Sequence, residues 1–558
     1  MLRKSCWLYL AIAAAVPALL LGQSFTAAIR GVITDVSQAA IPGAKVVVTD
    51  AGRNTEHTTQ TDALGRYVLA ALPPGTYTLS VEAAGFQKHS RSAFVLQVQQ
   101  QATIDVELQV GQIASVIEVA ASGPLLNTTI ANLGQVIENR YINQLPLINR
   151  NIFALTYLTP GVVGAAGAYT ASESTNFSAV GTRNSTADVM LDGVSITTPE
   201  QNSGITTPAQ TPSVDAVQEF KVQTSFFSAE FGNTGGAIVN MITKSGTNDF
   251  HGSGYWFYRH DSLNANSFFS NRAGRLKPSY HRHLYGGTGG GPIKKDRTFF
   301  FFSYERLPEG SPYSQTATFP TAQQRQGNFS DYVTSSGQPI TIYNPFDTFT
   351  NAAGDIKRRP FPGNIIPRSM LNPISMAAAS YYPAANQPGL VNNWFEQGIA
   401  TSVNYQMEIK ADHNFSDRSR ISARYSPRRS RFARPNLFGE GRPGLPWEIK
   451  RTLVDANGGV FDYTRTLNPQ TIFNVRFGLL NPNYYSTQLV YFDLKKLGLP
   501  QYIEDAALKI NPNARLFPQV SVGGLHRDRG RGVHGYRPGN RLQTGDWQCD
   551  ADRGRPQH

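Results

Sequence analysis

Apolar and polar residues alternate along several stretches in the second half of the chain. Polar or charged side chains occupy every second position from 405 to 412, from 420 to 425 and from 473 to 477, with apolar side chains between them. A period of two predicts β-strands. Charges at every second position would be costly between two dry faces, so we expect one wet face and one face towards lipid, as in a membrane-spanning barrel.

The N-terminal part of the chain repeats this alternation in shorter runs. Turn residues recur about every 8 to 12 positions, for example at Pro42-Gly43, at 62–65 and at 73–75. Alternation is clear from 77 to 82 and from 104 to 108. Roughly 80 residues with about seven such runs predict a β-sandwich.

The sequence of this segment also resembles a known family. The stretches IRGVITDVSQAAIPGAKVVVTD and ATIDVELQVG are similar to the carboxypeptidase regulatory-like domain, a transthyretin-like sandwich, over residues 25–111. The resemblance does not imply a peptidase, because the ten histidines are dispersed and no His-x-x-Glu precedes a later His. Related folds bind carbohydrate through exposed aromatic side chains, but Tyr67 and Tyr77 are expected in the core.

Residues 112–250 resemble another family. The words DVMLDGV, VQEFKV and GGAIVNMITKSG are similar to the α+β plug domain of TonB-dependent outer-membrane receptors. The resemblance implies that residues 251–522 form part of a transmembrane antiparallel β-barrel. The predicted fold class is therefore dominated by β-structure: a sandwich, then a plug, then a partial barrel.

Within the predicted barrel, the aromatic runs 255–258 and 299–302 suit the membrane interfaces. Residues 307–404 are rich in Pro, Asn and Ser and predict a long loop on the outer face. We expect about six to ten strands, whereas a 22-stranded receptor barrel needs roughly 220 residues in strands alone. The sequence therefore suggests a truncated receptor that does not transport in the 558-residue form.

Both ends of the chain differ from the rest. Residues 1–24 predict a cleaved signal peptide, because Arg3 and Lys4 precede an apolar run from Trp7 to Leu21. The alternative is a membrane anchor, for which the run is short. Residues 523–558 lose the alternation and are rich in Arg, Gly and Asp. They predict an aberrant, frameshifted tail or a natural disordered extension.

Composition and motifs give no sign of a nucleic-acid, metal or phosphate-binding site. The net charge is +12, but the basic residues are scattered and form no recognisable nucleic-acid motif. Cys6 lies in the predicted signal peptide, which leaves Cys549 without an internal partner. His281-x-His283 has no third metal ligand nearby, and the glycines of YGGTGGGP fit no phosphate-binding pattern. We therefore expect no enzyme, no cofactor, no metal and no nucleic-acid partner.

The resemblance implies a receptor that takes up a ligand across the outer membrane, with the sandwich in the periplasm. Its partners would be a TonB-like inner-membrane energising protein, outer-membrane lipid and an unidentified ligand, such as an oligosaccharide, siderophore or peptide. The alternative is a surface adhesion or carbohydrate-binding structural protein that does not transport. Dependence of uptake on the proton-motive force distinguishes the two.

One segment is a candidate contact for the energising partner. Between the predicted sandwich and plug, the chain runs Ser115, Val116, Ile117, Glu118 and Val119, and then reaches Gly123-Pro124. In the receptor family, a short extended segment ahead of the plug pairs by strand addition with the partner's sheet. The alternative is that these residues are the last strand of the sandwich.

Overall fold

The computed structural model describes the chain from Thr26 to Ile510, and Phe517, with interruptions. The interruptions are residues 112–115, 120–132, 146, 148–149, 165–176, 184–185, 199–207, 226, 228–230, 233, 335–336, 440–441, 443–449, 469–470, 489–491 and 511–516. The predicted signal peptide and the predicted tail lie outside the described residues. Among the helices that are described, none has the length and apolar character to cross a membrane.

The N-terminal unit is a β-sandwich, which we call the sandwich. Its strands are β1 Ala27–Asp35, β2 Lys45–Asp50, β3 Thr55–Gln60, β4 Arg66–Leu72, β5 Gly75–Glu82, β6 Lys88–Leu96, β7 Gln101–Thr103, β8 Val106–Leu108 and β9 Val116–Val119. One sheet joins β4, β1 and β7, with β8 also paired to β1, and the other has the order β3-β2-β5-β6-β9. The predicted sandwich is confirmed.

The two tyrosines of the sandwich lie in its core, as expected. Tyr67 and Tyr77 are 2% and 0% exposed. The Tyr67 hydroxyl donates to the Ile104 carbonyl at 2.8 Å, and the Tyr77 hydroxyl donates to the Pro73 carbonyl at 2.7 Å. Each buried hydroxyl therefore has the partner that burial requires.

A second unit follows, which we call the central unit. Its strands are β10 Leu133–Glu138, β11 Val162–Gly164, β12 Phe177–Ala179, β13 Asp188–Leu191, β14 Val194–Ser195, β15 Val217–Ser225 and β16 Ile238–Thr243. Its helices are α1 Asn139–Gln144 and the 3₁₀ turns Ile152–Leu158 and Val214–Ala216. The main sheet has the order β10-β15-β16-β13-β14, in which only β13 and β16 run parallel.

The remaining strands form a long antiparallel sheet and a separate hairpin, and short helices lie in the connections between them. They are β17 His251–His260, β18 His281–Lys294, β19 Thr298–Ala317, β20 Tyr343–Thr350, β21 Ile356–Pro360, β22 Trp394–Ser416, β23 Ser419–Ala433, β24 Lys450–Asn468 and β25 Thr471–Gln488. We call the sheet β17-β18-β19-β22-β23-β24-β25 the wall, and β20 and β21 form a separate hairpin. The helices here are α2 Phe268–Arg272, α3 Ala322–Arg325, α4 Pro373–Tyr381 and α5 Gln501–Ile510, with 3₁₀ turns at Asp261–Leu263, Pro362–Asn364, Arg368–Met370 and Leu494–Leu497.

The faces of the wall follow the predicted alternation. Ile409 on β22 is 44% exposed, whereas its neighbour Glu408 is 2% exposed. On β25, Phe477 is exposed, and a Cβ at the next residue, Gly478, would meet Val194 of the central unit. The polar face of the wall therefore covers the central unit, and the apolar face is free to contact lipid.

Two expectations about the wall need correction. The predicted loop 307–404 is shorter, because β19 and β22 pair without a break from Thr298↔His413 to Ala317↔Trp394. The aromatic run 299–302 does not form one interfacial band, since Phe299 and Phe301 are buried on the polar face and Phe302 is exposed on the other. An alternating strand cannot present neighbouring side chains to the same side.

The short linker from β16 to β17 passes close to the wall. A Cβ at Gly246 would overlap the backbone of Phe300 and lie 2.6 Å from the carbonyl oxygen of Gly291. Only glycine lets the backbone come this near to two neighbouring strands. The linker is therefore held against the wall at this residue.

Candidate functional site

The clearest concentration of buried charge lies where the central unit meets the wall. Asp192 begins the turn between β13 and β14 with a φ of +49°, and Gly193 follows with a φ of +77°. Asp is one of the few residues with a side chain that tolerates this left-handed conformation. The Asp192 carboxylate accepts hydrogen bonds from the Thr243 backbone N–H at 2.9 Å and from the Thr243 hydroxyl at 2.6 Å.

Two cations of the wall complete the surroundings of Asp192. Arg424 Nε lies 2.8 Å from the Asp192 carboxylate, and Lys410 Nζ lies 3.7 Å from it. Arg424 also reaches Glu408 at 3.4 Å, and it donates to the Leu191 carbonyl at 3.2 Å. Because β22 and β23 alternate, all three wall side chains point to the side where the central unit sits.

This network, which we call the charge network, balances two acids against two bases. The acids are Asp192 and Glu408, and the bases are Lys410 and Arg424, with side-chain exposures of 8% or less. Burying ions is costly, so such a network adds little net stability when it is intact. Removing one member of the network costs more free energy, because the charge that remains is then buried without a partner. The network therefore favours one orientation of the central unit.

Other contacts between the central unit and the wall are also polar. The Ser213 and Ser303 hydroxyls lie 2.9 Å apart, and the Gln210 amide donates to the Ser426 carbonyl. Arg150 pairs with Asp215 and lies over the ring of Tyr255 in the wall, 5.0 Å from its centroid. Among the described residues, no apolar cluster includes side chains of both the central unit and the wall. Polar groups therefore make the described hydrogen bonds and ion pairs between the two, without an apolar cluster that both share.

The central unit meets the sandwich through a second pair of buried charges. Glu219 accepts a hydrogen bond from the Val98 backbone N–H at 2.8 Å, and Lys221 Nζ donates to the Val98 carbonyl at 3.1 Å. Burial raises the pKa of Glu219 to about 7 and lowers the pKa of Lys221 to about 8. Both side chains have lost much of their hydration, since Glu219 is 5% and Lys221 is 8% exposed.

The structure describes four of the five residues of the predicted partner-contact segment. Val116 to Val119 form β9, which pairs in parallel with Lys88 to Arg91 of β6, and Ser115 lies outside the described residues. This pairing is what the alternative, a last strand of the sandwich, predicts. Nothing in it tests whether a partner binds the segment, so partner binding stays a prediction.

The structure identifies residues that the sequence did not single out. The sequence drew attention to Asp192 only through the DGV motif, and it gave no sign that Arg424, 232 positions away, is its partner. The available signal was the alternation of charges at 408, 410 and 424. His283 lies on the exposed side of the wall beside Trp256, and the described residues contain no group of three or more metal-ligating side chains.

Comparisons with known proteins agree on two segments. The family model for the outer membrane beta barrel domain matches residues 242–551, and the model for the carboxypeptidase regulatory-like domain matches residues 28–109. The TonB-dependent transporter Oar of Myxococcus xanthus is 29% identical over 306 residues, which are 52% of this chain and 27% of Oar. The chain thus spans about a quarter of the length of this curated relative.

Solved structures give weaker likenesses. The outer membrane transporter YddB from Escherichia coli has a TM-score of 0.36 and 13% identity, covering 60% of this chain and 37% of YddB. Catechol 1,2-dioxygenase from Acinetobacter radioresistens has a TM-score of 0.14 and 16% identity, covering 19% of this chain and 60% of the enzyme. Both scores are too low to support an argument about fold or activity.

Proposed function

We propose, from the premise that the chain belongs to the outer membrane beta barrel domain family, that its central unit is the plug of a TonB-dependent receptor. The chain is an outer-membrane protein, and its sandwich lies in the periplasm. In this proposal the wall spans the membrane and the plug gates the uptake of a ligand whose identity is open.

The observation that carries the proposal is the polar seating of the central unit on the wall. A plug has to be held in place and yet leave its place without unfolding. The charge network supplies a defined orientation, and the absence of a shared apolar cluster among the described residues keeps the cost of separation low. Each unit keeps its own core when the two separate.

The energising partner also belongs to the proposal. The Myxococcus relative Oar is a TonB-dependent transporter, which supports a TonB-like inner-membrane partner for this chain. Residues 115–119 are the proposed contact, by strand addition. The alternative of sugar binding by the sandwich gains no support, because none of its described aromatic side chains is exposed.

The proposal is tested in the native outer membrane with a probe that needs no knowledge of the ligand. In the homologous receptor with a complete barrel, deleting the segment that corresponds to residues 133–243 should leave an unobstructed barrel and make the cells sensitive to vancomycin, which is too large for ordinary porins. The matched control deletes the segment that corresponds to the exposed hairpin 343–360 and should leave sensitivity unchanged. An unchanged inhibitory concentration for the first deletion, with normal amounts of protein in the membrane, would refute a plug role.

A further inference from the structure

The sandwich contacts both the central unit and the wall, through two separate turns. The first turn, residues 51–54, joins β2 to β3, and the second turn, residues 97–100, joins β6 to β7. Each turn presents backbone or charged groups to a partner outside the sandwich. The two turns belong to one folded domain with a continuous apolar core, so they cannot move independently.

The first turn is attached to the wall and to the linker before it. Arg53 Nε donates to the Gly246 carbonyl at 3.2 Å, and the Arg53 guanidinium lies 3.6 Å from the Asp412 carboxylate. The Asn248 backbone N–H donates to the Gly52 carbonyl at 2.9 Å. These groups belong to the wall or to the part of the linker beside it.

Two further contacts strengthen the attachment to the wall. The Asn414 amide donates to the Thr55 hydroxyl at 2.9 Å, and Arg420 donates to the Ala71 carbonyl at 2.7 Å. Asn414 and Arg420 flank the turn between β22 and β23, so the sandwich sits against that end of the wall. Several strands of the sandwich share this attachment.

The second turn contacts the central unit, and the described residues show three hydrogen bonds between them. Glu219 and Lys221 hold the N–H and C=O of Val98, which is fully buried, and Gln97 donates to Glu138 at 3.2 Å. The turn itself is stiffened by the Gln100 side chain, which accepts from the Gln97 N–H at 2.8 Å. Because the hydrogen bonds of Glu219 and Lys221 go to the backbone of Val98, they depend on the polar ends of the two side chains and not on the identity of residue 98.

We propose that the sandwich is a brace that links the central unit to the wall and opposes displacement of the central unit. The inference rests on the proposed function, since a brace matters only if the central unit moves. Among the described contacts, the one at Val98 has fewer hydrogen bonds and ion pairs than the attachment to the wall. The central unit therefore separates from the sandwich first, and the sandwich stays on the wall.

Hydrogen–deuterium exchange of the full chain in detergent tests the contact directly. The double variant Glu219→Met/Lys221→Met removes the acceptor and the donor, and exchange of the Val98 amide should become at least tenfold faster. The matched variant Glu219→Gln/Lys221→Gln keeps one acceptor and one donor and should stay within about threefold of the parent. Unchanged exchange in the methionine variant, with β10 still protected, would overturn the proposal.

Vancomycin sensitivity tests the consequence, in cells that carry the homologous receptor with a complete barrel. The methionine variant should sensitise the cells, and the glutamine variant should not. If deletion of the segment that corresponds to residues 133–243 sensitises the cells but the methionine variant does not, the brace fails and the proposed plug stands. If neither change sensitises them, the proposed function itself fails.

Discussion

Replacing Asp192 by asparagine removes the negative charge that the central unit contributes to the charge network, with almost no change in volume. Arg424 and Lys410 then face a neutral amide where a carboxylate lay 2.8 and 3.7 Å away. Both cations remain buried, and water cannot readily replace the lost partner. The substitution therefore tests the charge without creating a cavity.

The magnitude follows from what the two cations retain. Removing one member of a buried ion pair costs about 3–5 kcal/mol, because the other charge loses its compensation. Arg424 keeps Glu408 at 3.4 Å, and Lys410 keeps the carbonyl and hydroxyl oxygens of Thr243 at 3.1 and 3.2 Å. We therefore expect the lower end of the range, about 3 kcal/mol, in the free energy that holds the central unit in place.

Hydrogen–deuterium exchange of β13 and β16 during a urea titration measures this free energy, from the shift of the midpoint. The control is Asp347→Asn, which breaks the exposed pair between Asp347 and Arg359, with side-chain exposures of 43% and 57%. Exposed pairs contribute about 0–1 kcal/mol, so the control should shift the midpoint very little. Equal shifts for the two variants would show that the charge network does not hold the central unit.

Three other predictions address the sandwich. Ile117→Pro, tested in the intact full-length homologous reading frame, should abolish pull-down of the TonB-like partner while outer-membrane insertion stays normal, because proline removes a donor from an added strand; undiminished pull-down would exclude this segment as the contact. Burial, with Arg420 and Arg53 nearby, lowers the pKa of His57 to about 3. The native structure favours neutral His57, so the stability it contributes is complete above about pH 6.5 and is lost as the pH falls towards 3, by up to about 2 kcal/mol at pH 5; the protection factors of β3, which correct for the intrinsic pH dependence of amide exchange, should fall on acidification, and His57→Gln should flatten that fall. Residues 25–111 should fold alone with a cooperative thermal transition by circular dichroism, and Tyr67→Phe should lower their stability by about 1–2 kcal/mol, since the Ile104 carbonyl loses its buried donor; a disordered spectrum would contradict the first expectation, and an unchanged midpoint the second.

The sequence predicted the faces of the wall because alternation is a local property. Glu408 and Ile409 point to opposite sides in any extended strand, so their environments could be assigned without the rest of the fold. The prediction for the extent of β19 is wrong, because the Pro-, Asn- and Ser-rich composition of residues 307–404 predicts a loop where the strand continues to Ala317. The β18–β19 pairing is interrupted at Pro308, and Pro312 lies beyond its end, so neither proline has to donate a hydrogen bond on that side.

The partners within the site could not be predicted from the sequence. The contact between Asp192 and Arg424 depends on the register of β22 with β23 and on where the central unit sits against the wall. Neither is encoded in a local pattern. Glu219 and Lys221 show the same limit, because alternation placed them on one face of β15 but could not reveal that Val98 of another unit covers them.

The close approach of Gly246 to the wall limits how far the central unit can move away from the wall. Thr243 ends β16, and only Lys244 and Ser245 separate it from the pinned glycine. Three extended residue steps span roughly 10 Å. While Gly246 keeps its place, Thr243 can move no further than this distance from it. Rotation of the central unit must then occur about this end, which acts as a pivot. Any larger excursion must be a swing of the far side, where β10 begins, and a residue with a side chain at 246 would move the pivot itself.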